Sequence, residues 1–245
     1  MDEQVIYENI QTKEIDTHPK RKIKKRIYDN KEYEKYFKEQ IKLHKNDIDF
    51  KAKKGYEFFK RTTDIIFSLL AIIPATLLIC ILCIVIRLDS KGNPIFSQIR
   101  VGKNGKLIKI HKLRSMRIDA EKDGQKWAEE DDPRITKVGK FIRKYRLDEL
   151  PQLFDVLIGK MSLIGPRPEI PLLTVEFNEE YPGFVTRLLV TPGLSGLAQV
   201  YGGYDATPKE KWIRDNEYIE KRSFKLYCHI FIMTIKTVLT GNGAR

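Results

Sequence analysis

The chain has 245 residues, enough for one domain of ordinary size with appendages. Hydrophobic residues make up 42% and charged residues 32%, with a formal net charge of +12, so a real core lies under a strongly basic surface that favours a polyanionic partner: nucleic acid, an anionic membrane face or a phosphate-bearing substrate. Three cysteines, Cys80, Cys83 and Cys228, give no paired disulfide framework and fit a reducing compartment, and because residues 1–54 are polar no secretory signal is expected to open the chain.

Residues 1–54 carry 15 Lys and Arg against 11 Asp and Glu. The densest basic patch is Lys20-Arg21-Lys22 with Lys24-Lys25-Arg26. Tyr33, Tyr36, Phe37 and Ile41 recur at helical spacing, which predicts an amphipathic helix over about 30–44. This extension reads either as a partly disordered, solvated appendage or as a surface anchor for anionic lipid.

Residues 65–86 form a run of 22 without a charge. At the helical rise that is about 33 Å, enough to cross a bilayer. Two features stand against a straight span. Pro74 near its middle removes a backbone hydrogen bond and predicts a kink. Both flanks are basic, with seven Lys and Arg over 42–61 and five over 87–106, and basic flanks prefer the same side of a membrane. A helix that bends at Pro74 and returns satisfies both flanks, and a Pro-kinked span stays open beside it. Cys80 and Cys83 form a C-x-x-C inside this run, with no histidine or carboxylate near, so all three cysteines read as small apolar fillers.

Beyond Arg87 the pattern predicts a small mixed domain, α/β but mostly α. Residues 94–101 and the alternating run 107–113, joined through Gly102 and Asn104-Gly105, predict a β-hairpin. Residues 119–134 are polar and acidic, a surface helix and loop. Val138, Phe141, Ile142 and Tyr145 share a helical face, and Leu150, Leu153, Phe154, Leu157 and Ile158 line a second helix closed by Gly159. An apolar helix runs from Phe224 with Ser223 as its cap.

Three constellations could carry chemistry. Asp148-Glu149 falls before Pro151, which is tolerated only in a helix's first turn, so the spacing predicts Asp148 as N-cap and Glu149 at the first helical position. The pair therefore reads as capping acids. Crowding by Arg143, Lys144 and Arg146 gives a second reading, in which two carboxylates and a cationic rim suit a phosphate group and a divalent cation. Gly165-Pro166-Arg167-Pro168-Glu169 is either a rigid turn or a stiff loop presenting a guanidinium, which binds phosphate in a forked, bidentate way. The glycines around Pro192-Gly193-Leu-Ser-Gly196-Leu-Ala-Gln199 and Gly202-Gly203 suit close approach to a ligand and tight turns alike. The glycine patterns of dinucleotide and P-loop sites do not occur, and His18, His44, His111 and His229 lack metal spacing.

From about 58 to 239, three quarters of the chain, the sequence resembles the bacterial sugar transferases, the monotopic polyprenyl-phosphate phosphoglycosyl transferases. Six motifs occur in family order: Phe59-Lys60-Arg61 with Asp64; Phe96-Ser-Gln98-Ile-Arg100-Val-Gly102; Lys112-Leu-Arg114-Ser-Met116; Leu147-Asp148-Glu149-Leu-Pro-Gln152-Leu; Met161-Ser162-Leu-Ile-Gly165-Pro166-Arg167-Pro168; and the stretch from Pro192 to Val200. The resemblance implies three parts: a basic extension at 1–54, a re-entrant membrane helix at 55–88, and a catalytic domain at 89–245 with interfacial amphipathic helices, seated at the cytoplasmic face of a bacterial cell membrane. It looks like a short form of the family. The implied reaction moves a hexose-1-phosphate from a UDP-sugar to polyprenyl (undecaprenyl) phosphate, releasing UMP, as the first membrane step of capsule, exopolysaccharide or glycoconjugate assembly.

By the same resemblance Asp148 is the nucleophile, with Glu149 as Mg²⁺ ligand or base beside it. Arg143 and Arg167 match phosphate-binding positions; Lys112 and Arg114 match less closely, and Gln199 lies in a matched motif. The sequence departs from the family where Ile73 precedes Pro74 in place of a common serine, so a shallower bend is expected. Tyr227-Cys228-His229 also stands where members often carry an acid. Two other classes compete: a membrane-tethered scaffold using 1–54 as its lipid patch, and a nucleic-acid binder, which the lack of interleaved aromatic platforms disfavours.

Overall fold

The computed structural model describes residues 29–120, 122, 132–203 and 206–240, apart from the side chain of Leu239. The basic cluster at 20–26, His18 and most of the acidic 119–134 segment lie outside the described residues. The fold is mostly helical, as predicted, with two small sheets, of which the sequence reading predicts the hairpin and not the second.

Helix α1 (Asn30–His44) starts in a capping box: the Asp29 carboxylate accepts from Glu32 N at 2.8 Å, and the Glu32 carboxylate accepts from Asp29 N at 3.0 Å. Its apolar face is turned inward. Phe37 is 0% exposed and packs with Val101, Val175, Val185 and Leu188, with Tyr33, Tyr36 and Ile41 beside it. The amphipathic helix is present as the spacing predicts, but it is neither a solvated appendage nor a lipid anchor on that face. The physical reason is that the domain offers these side chains an apolar groove of its own.

Helix α2 (Lys54–Asp89) contains the long apolar run and stays helical through Pro74. It is the one helix among the described residues long and apolar enough to cross a membrane. Lys60, Asp64, Ser68, Ala75, Leu82 and Ile86 form a buried seam against the domain, continuing on both sides of Pro74. The opposite face, including Ile66, Leu70, Ile73, Leu77, Ile84 and Leu88, is apolar and exposed. Arg61 fastens the first part of α2 by donating to the carbonyls of Val156 and Leu157, each at 2.7 Å. Arg114 fastens the far end by donating to the carbonyls of Ser90 (2.6 Å) and Lys91 (2.7 Å). Both ends of α2 are thus tied to the same domain.

Strands β1 (Ile95–Val101) and β2 (Leu107–Leu113) pair antiparallel in the predicted hairpin, with Gln98 opposite Ile110. Helix α3 (Lys137–Lys144) starts at Thr136, whose hydroxyl accepts from Gly139 N. A side chain at Gly139 would collide with the Ser115 carbonyl, so glycine lets α3 lie against the segment after β2. Ile142 is buried, whereas Phe141 and Tyr145, expected on the same inner face, pack against each other on the outside, their tilted rings 5.2 Å apart.

A 3-10 turn (Leu147–Glu149) leads into α4 (Gln152–Leu157). The face of α4 differs from the one expected. Leu153 and Val156 are buried together with Gln152 and Asp155, while Phe154 and Ile158 point outward. Asp155 sets this rotation, because its carboxylate accepts from the backbone N and ring of His111 on β2. Strand β3 (Ser162–Ile164) pairs in parallel with β4 (Gly193–Ser195). Between them run α5 (Pro171–Glu180) and a 3-10 helix (Phe184–Leu189). Helices α6 (Leu197–Gly202), α7 (Pro208–Lys221) and α8 (Phe224–Thr240) complete the domain. The Ser223 hydroxyl accepts from Leu226 N at 3.3 Å, the expected cap of α8.

Candidate active site

A cavity of about 470 Å³ opens between the β-hairpin, the 3-10 turn after α3, the loop after β3 and helix α6. Nine Lys and Arg side chains line it against three carboxylates, a balance suited to a polyanion. All seven residues singled out in the sequence reach this cavity: Lys112, Arg114, Arg143, Asp148, Glu149, Arg167 and Gln199.

The local geometry begins with Arg146. Its φ of 54° lies in the left-handed region, which costs a non-glycine residue about 1–2 kcal/mol. This reversal ends α3 and turns the chain into Leu147–Glu149. Asp148 and Glu149 therefore sit in a 3-10 turn, not at the cap and first position of a helix; α4 starts later, and Pro151 occupies its N-cap position. Neither carboxylate caps α4, which removes the structural duty that the sequence offered for the pair.

The two carboxylates have different surroundings. Glu149 accepts from Lys112 Nζ at 3.1 Å and from both terminal nitrogens of Arg167. Burial pushes its pKa up, but Arg167, Lys112 and Arg146 together outweigh burial and hold it well below the usual carboxylate range. Asp148 is 9% exposed, and among the described residues no hydrogen bond reaches its carboxylate. Burial raises its pKa, with Glu149 adding to the rise and Lys112, Arg143 and Arg167 opposing it. Two adjacent acids are thus pushed apart, Glu149 fixed as an anion and Asp148 left more basic with unused oxygens.

The remaining predicted residues divide by what their side chains touch. Arg114 reaches the cavity wall, yet its terminal nitrogens donate to Ser90 and Lys91 at the end of α2. Gln199 donates to Leu194 O at 2.8 Å, and its Oε1 is buried without a partner. Burial lowers the pKa of Lys112, which Glu149 counteracts.

Several pocket residues were not predicted. Glu169 lies 3.2 Å from Lys211, 3.7 Å from Arg100 and 3.9 Å from Arg187, and Arg187 is tied to Asp215 at 2.6 Å. Arg100 and Glu169 stood within quoted motifs, and the proline-flanked loop was a signal for Glu169. Arg187 and Lys211 stand in stretches with no motif to mark them.

The loop carrying Arg167 owes its shape to glycine. Gly165 N donates to Ser195 O at 2.8 Å, and Gly193 N donates to Pro166 O at 2.9 Å. A side chain on Gly193 would run into the Gly165 backbone, so the two chains touch only because neither has one.

Oxygen donors of this kind fit a magnesium ion that takes one or two carboxylates and draws its other ligands from phosphate and water. The observation behind that fit is the Asp148 carboxylate, buried beside Glu149 and unengaged. Among the described residues no cluster of three or more His, Cys, Asp or Glu stands ready as an all-protein metal cage.

An apolar helix laid against a small α/β domain, with paired acids and a cationic rim in an open pocket, defines an anion-handling domain built for a membrane surface. The chain belongs to the bacterial sugar transferase family, which it matches over residues 55–241. A protein of Aeromonas hydrophila named UDP-N-acetylgalactosamine-undecaprenyl-phosphate N-acetylgalactosaminephosphotransferase is 42% identical over 207 residues, 83% of this chain and 49% of that protein. A Bacillus subtilis protein named as a putative undecaprenyl-phosphate N-acetylgalactosaminyl 1-phosphate transferase is 53% identical over 133 residues, 54% of this chain and 74% of that protein. A Klebsiella pneumoniae UDP-glucose:undecaprenyl-phosphate glucose-1-phosphate transferase is 41% identical over 186 residues, 72% of this chain and 39% of that protein. The chain thus spans about half the length of the Aeromonas relative.

Proposed function

We propose that this chain transfers a hexose-1-phosphate from a UDP-sugar to polyprenyl phosphate, giving the polyprenyl-diphospho-sugar and UMP. The observation that carries the proposal is Asp148, a buried carboxylate with no hydrogen bond from the described residues, set among cations in a cavity large enough for a nucleotide sugar. Family membership and the relatives' names support the same reaction.

In the first step an Asp148 oxygen attacks the β-phosphorus of the donor. The bond from that phosphorus to the bridging oxygen breaks, UMP leaves with the electron pair, and the phosphosugar stays on Asp148 as an acyl phosphate. In the second step a phosphate oxygen of the lipid attacks the same phosphorus, the Asp148 carboxylate leaves, and the diphosphate bond is made. Arg143, Arg146 and Lys112 supply positive charge where the phosphoryl oxygens gather. Arg167 lines the same space and holds Glu149 through both terminal nitrogens. Asp148 and Glu149 would hold Mg²⁺, which when bound neutralises diphosphate charge.

The exposed apolar face of α2 sits in the membrane, and both its ends remain on the domain's side, which is the cytoplasmic face. Covering the face of one helix with lipid and the other with protein satisfies its apolar exterior and its polar seam together.

The test is UMP release by purified protein with Mg²⁺, polyprenyl phosphate and a panel of UDP-sugars that starts with UDP-N-acetylgalactosamine. Asp148→Asn is expected to abolish release, and silence across the whole panel overturns the assignment. Exchange of labelled UMP into UDP-sugar without lipid supports the covalent step, while exchange that requires the lipid acceptor refutes it. For topology, an impermeant thiol reagent applied outside intact cells is expected to miss cysteines placed by Lys53→Cys and Lys91→Cys; labelling of either one refutes the same-side arrangement.

A further inference from the structure

The loop that presents Arg167 has an unusual problem of attachment. Pro166 and Pro168 have no N–H, so this stretch can be tied down almost only through its carbonyls. Each of the three consecutive carbonyls has its own donor. Pro166 O accepts from Gly193 N at 2.9 Å, Arg167 O from the Arg187 guanidinium at 2.9 Å, and Pro168 O from Arg100 at 3.1 Å. The middle bond acts on the residue whose side chain grips Glu149, so Arg187 sets the direction from which Arg167 enters the pocket.

Arg187 is in turn held from behind. It is 3% exposed, lies over the Phe184 ring at 4.7 Å, and donates through two nitrogens to Asp215 Oδ2 at 3.0 and 2.6 Å. Asp215 comes from α7, is 1% exposed, and its Oδ1 has no hydrogen-bond partner. A buried carboxylate with one oxygen unsatisfied is an expensive way to stabilise a fold, since an apolar pair of similar shape would do as well. Directional control of Arg187 is a use that an apolar pair could not replace.

We propose that Asp215 is a positioning residue for phosphosugar transfer: it orients Arg187, which fixes the Arg167 carbonyl and so aims the Arg167 guanidinium at Glu149. The inference rests on reading the Arg167 pocket as the transfer site. Asp215 touches no reacting atom, and its effect passes entirely through two arginines.

The experiment measures UMP release and thermal midpoint for Asp215→Asn and for the paired change R187Q/D215N, and repeats Asp215→Asn in an Arg167→Lys background. Asp215→Asn is expected to lower kcat about 10- to 100-fold, the scale of a misplacement of about 1 Å, with KM for the donor changed less than about threefold. The paired change removes both buried charges, so its midpoint is expected near that of the unmodified chain while kcat stays low. In the Arg167→Lys background Asp215→Asn is expected to cost no further kcat, because residues acting through one another are not additive. Additive losses, or a kcat that recovers together with the midpoint in the paired variant, overturn the proposal and leave Asp215 as fold support. Unmodified protein that releases no UMP overturns the transferase reading and this inference with it; active protein indifferent to Asp215→Asn overturns the inference alone.

Discussion

Replacing Phe37 by alanine is expected to loosen the whole domain, although Phe37 lies outside the 55–241 stretch that matches the family. The ring is 0% exposed and is enclosed by Val101, Val175, Val185 and Leu188. Tyr33 stacks on it at 6.0 Å, Tyr36 meets it edge-on at 5.5 Å, and Gly105 lies against it with no side chain to fill a void. Emptying such a site costs about 3–5 kcal/mol, and the rigid turn beside it keeps the cavity from collapsing, which places this case toward the upper end. In a chain of this size each kcal/mol moves the midpoint by about 2–4 °C, so a fall of about 6–20 °C follows. Thermal unfolding of the full chain in detergent or nanodiscs, followed by intrinsic fluorescence, measures it. Phe37→Leu is expected to restore more than half. A Phe37→Ala midpoint within about 2 °C of the unmodified chain refutes the docking of α1.

Arg61→Ala removes two charged hydrogen bonds to the last carbonyls of α4 and is expected to cost about 2–4 kcal/mol, read as a lower denaturant midpoint. Gly193→Ala forces β4 away from Gly165 and is expected to lower UMP release by at least about tenfold, because a displacement of the Arg167 loop by a fraction of an ångström is enough. Glu169 gives a pH test: burial pushes its pKa up, but Lys211, Arg187 and Arg100 bring it from its ordinary 4.5 down to about 2. A carboxyl lowered in the folded state contributes stability that is fully present above the unfolded value and lost as pH falls through the folded one. About 3 kcal/mol is therefore expected to disappear between pH 4.5 and about 2. Glu169→Gln should flatten that acid limb in denaturant titrations at a series of pH values; an unchanged limb refutes the assignment to Glu169.

The parts of this protein that were legible in its sequence are those that local physics determines. The strand candidate 94–101 and the alternating run 107–113, with an Asn-Gly turn between them, specify a hairpin without help from the rest of the chain. The spacing of Tyr33, Tyr36, Phe37 and Ile41 fixes a helix and its apolar face, but no local rule says whether that face meets lipid or protein. Asp148 and Glu149 were found by their company and misplaced in their conformation. Pro151 pointed to a helix start, while the reversal at Arg146 was carried by no glycine or asparagine that would have marked it. Phe154 and Ile158 turned outward because His111, far away in sequence, claims Asp155. Arg187 and Asp215 were invisible for a similar reason: their meaning lies in a contact between two helices and a loop.

The buried seam of α2 has a consequence for how the molecule is made. Lys60 and Asp64 emerge from the ribosome about a hundred residues before Ser162, whose hydroxyl takes the Lys60 ammonium, and Leu163, whose N–H donates to Asp64 at 3.0 Å. Until those partners exist, an ammonium and a carboxylate on an otherwise greasy rod must stay near water, so the rod cannot settle deeply by itself. Synthesis of the domain supplies the groups that satisfy the polar seam of its own apolar helix. A chain altered around β3 would leave Lys60 and Asp64 without these partners, two uncompensated charges on the apolar helix.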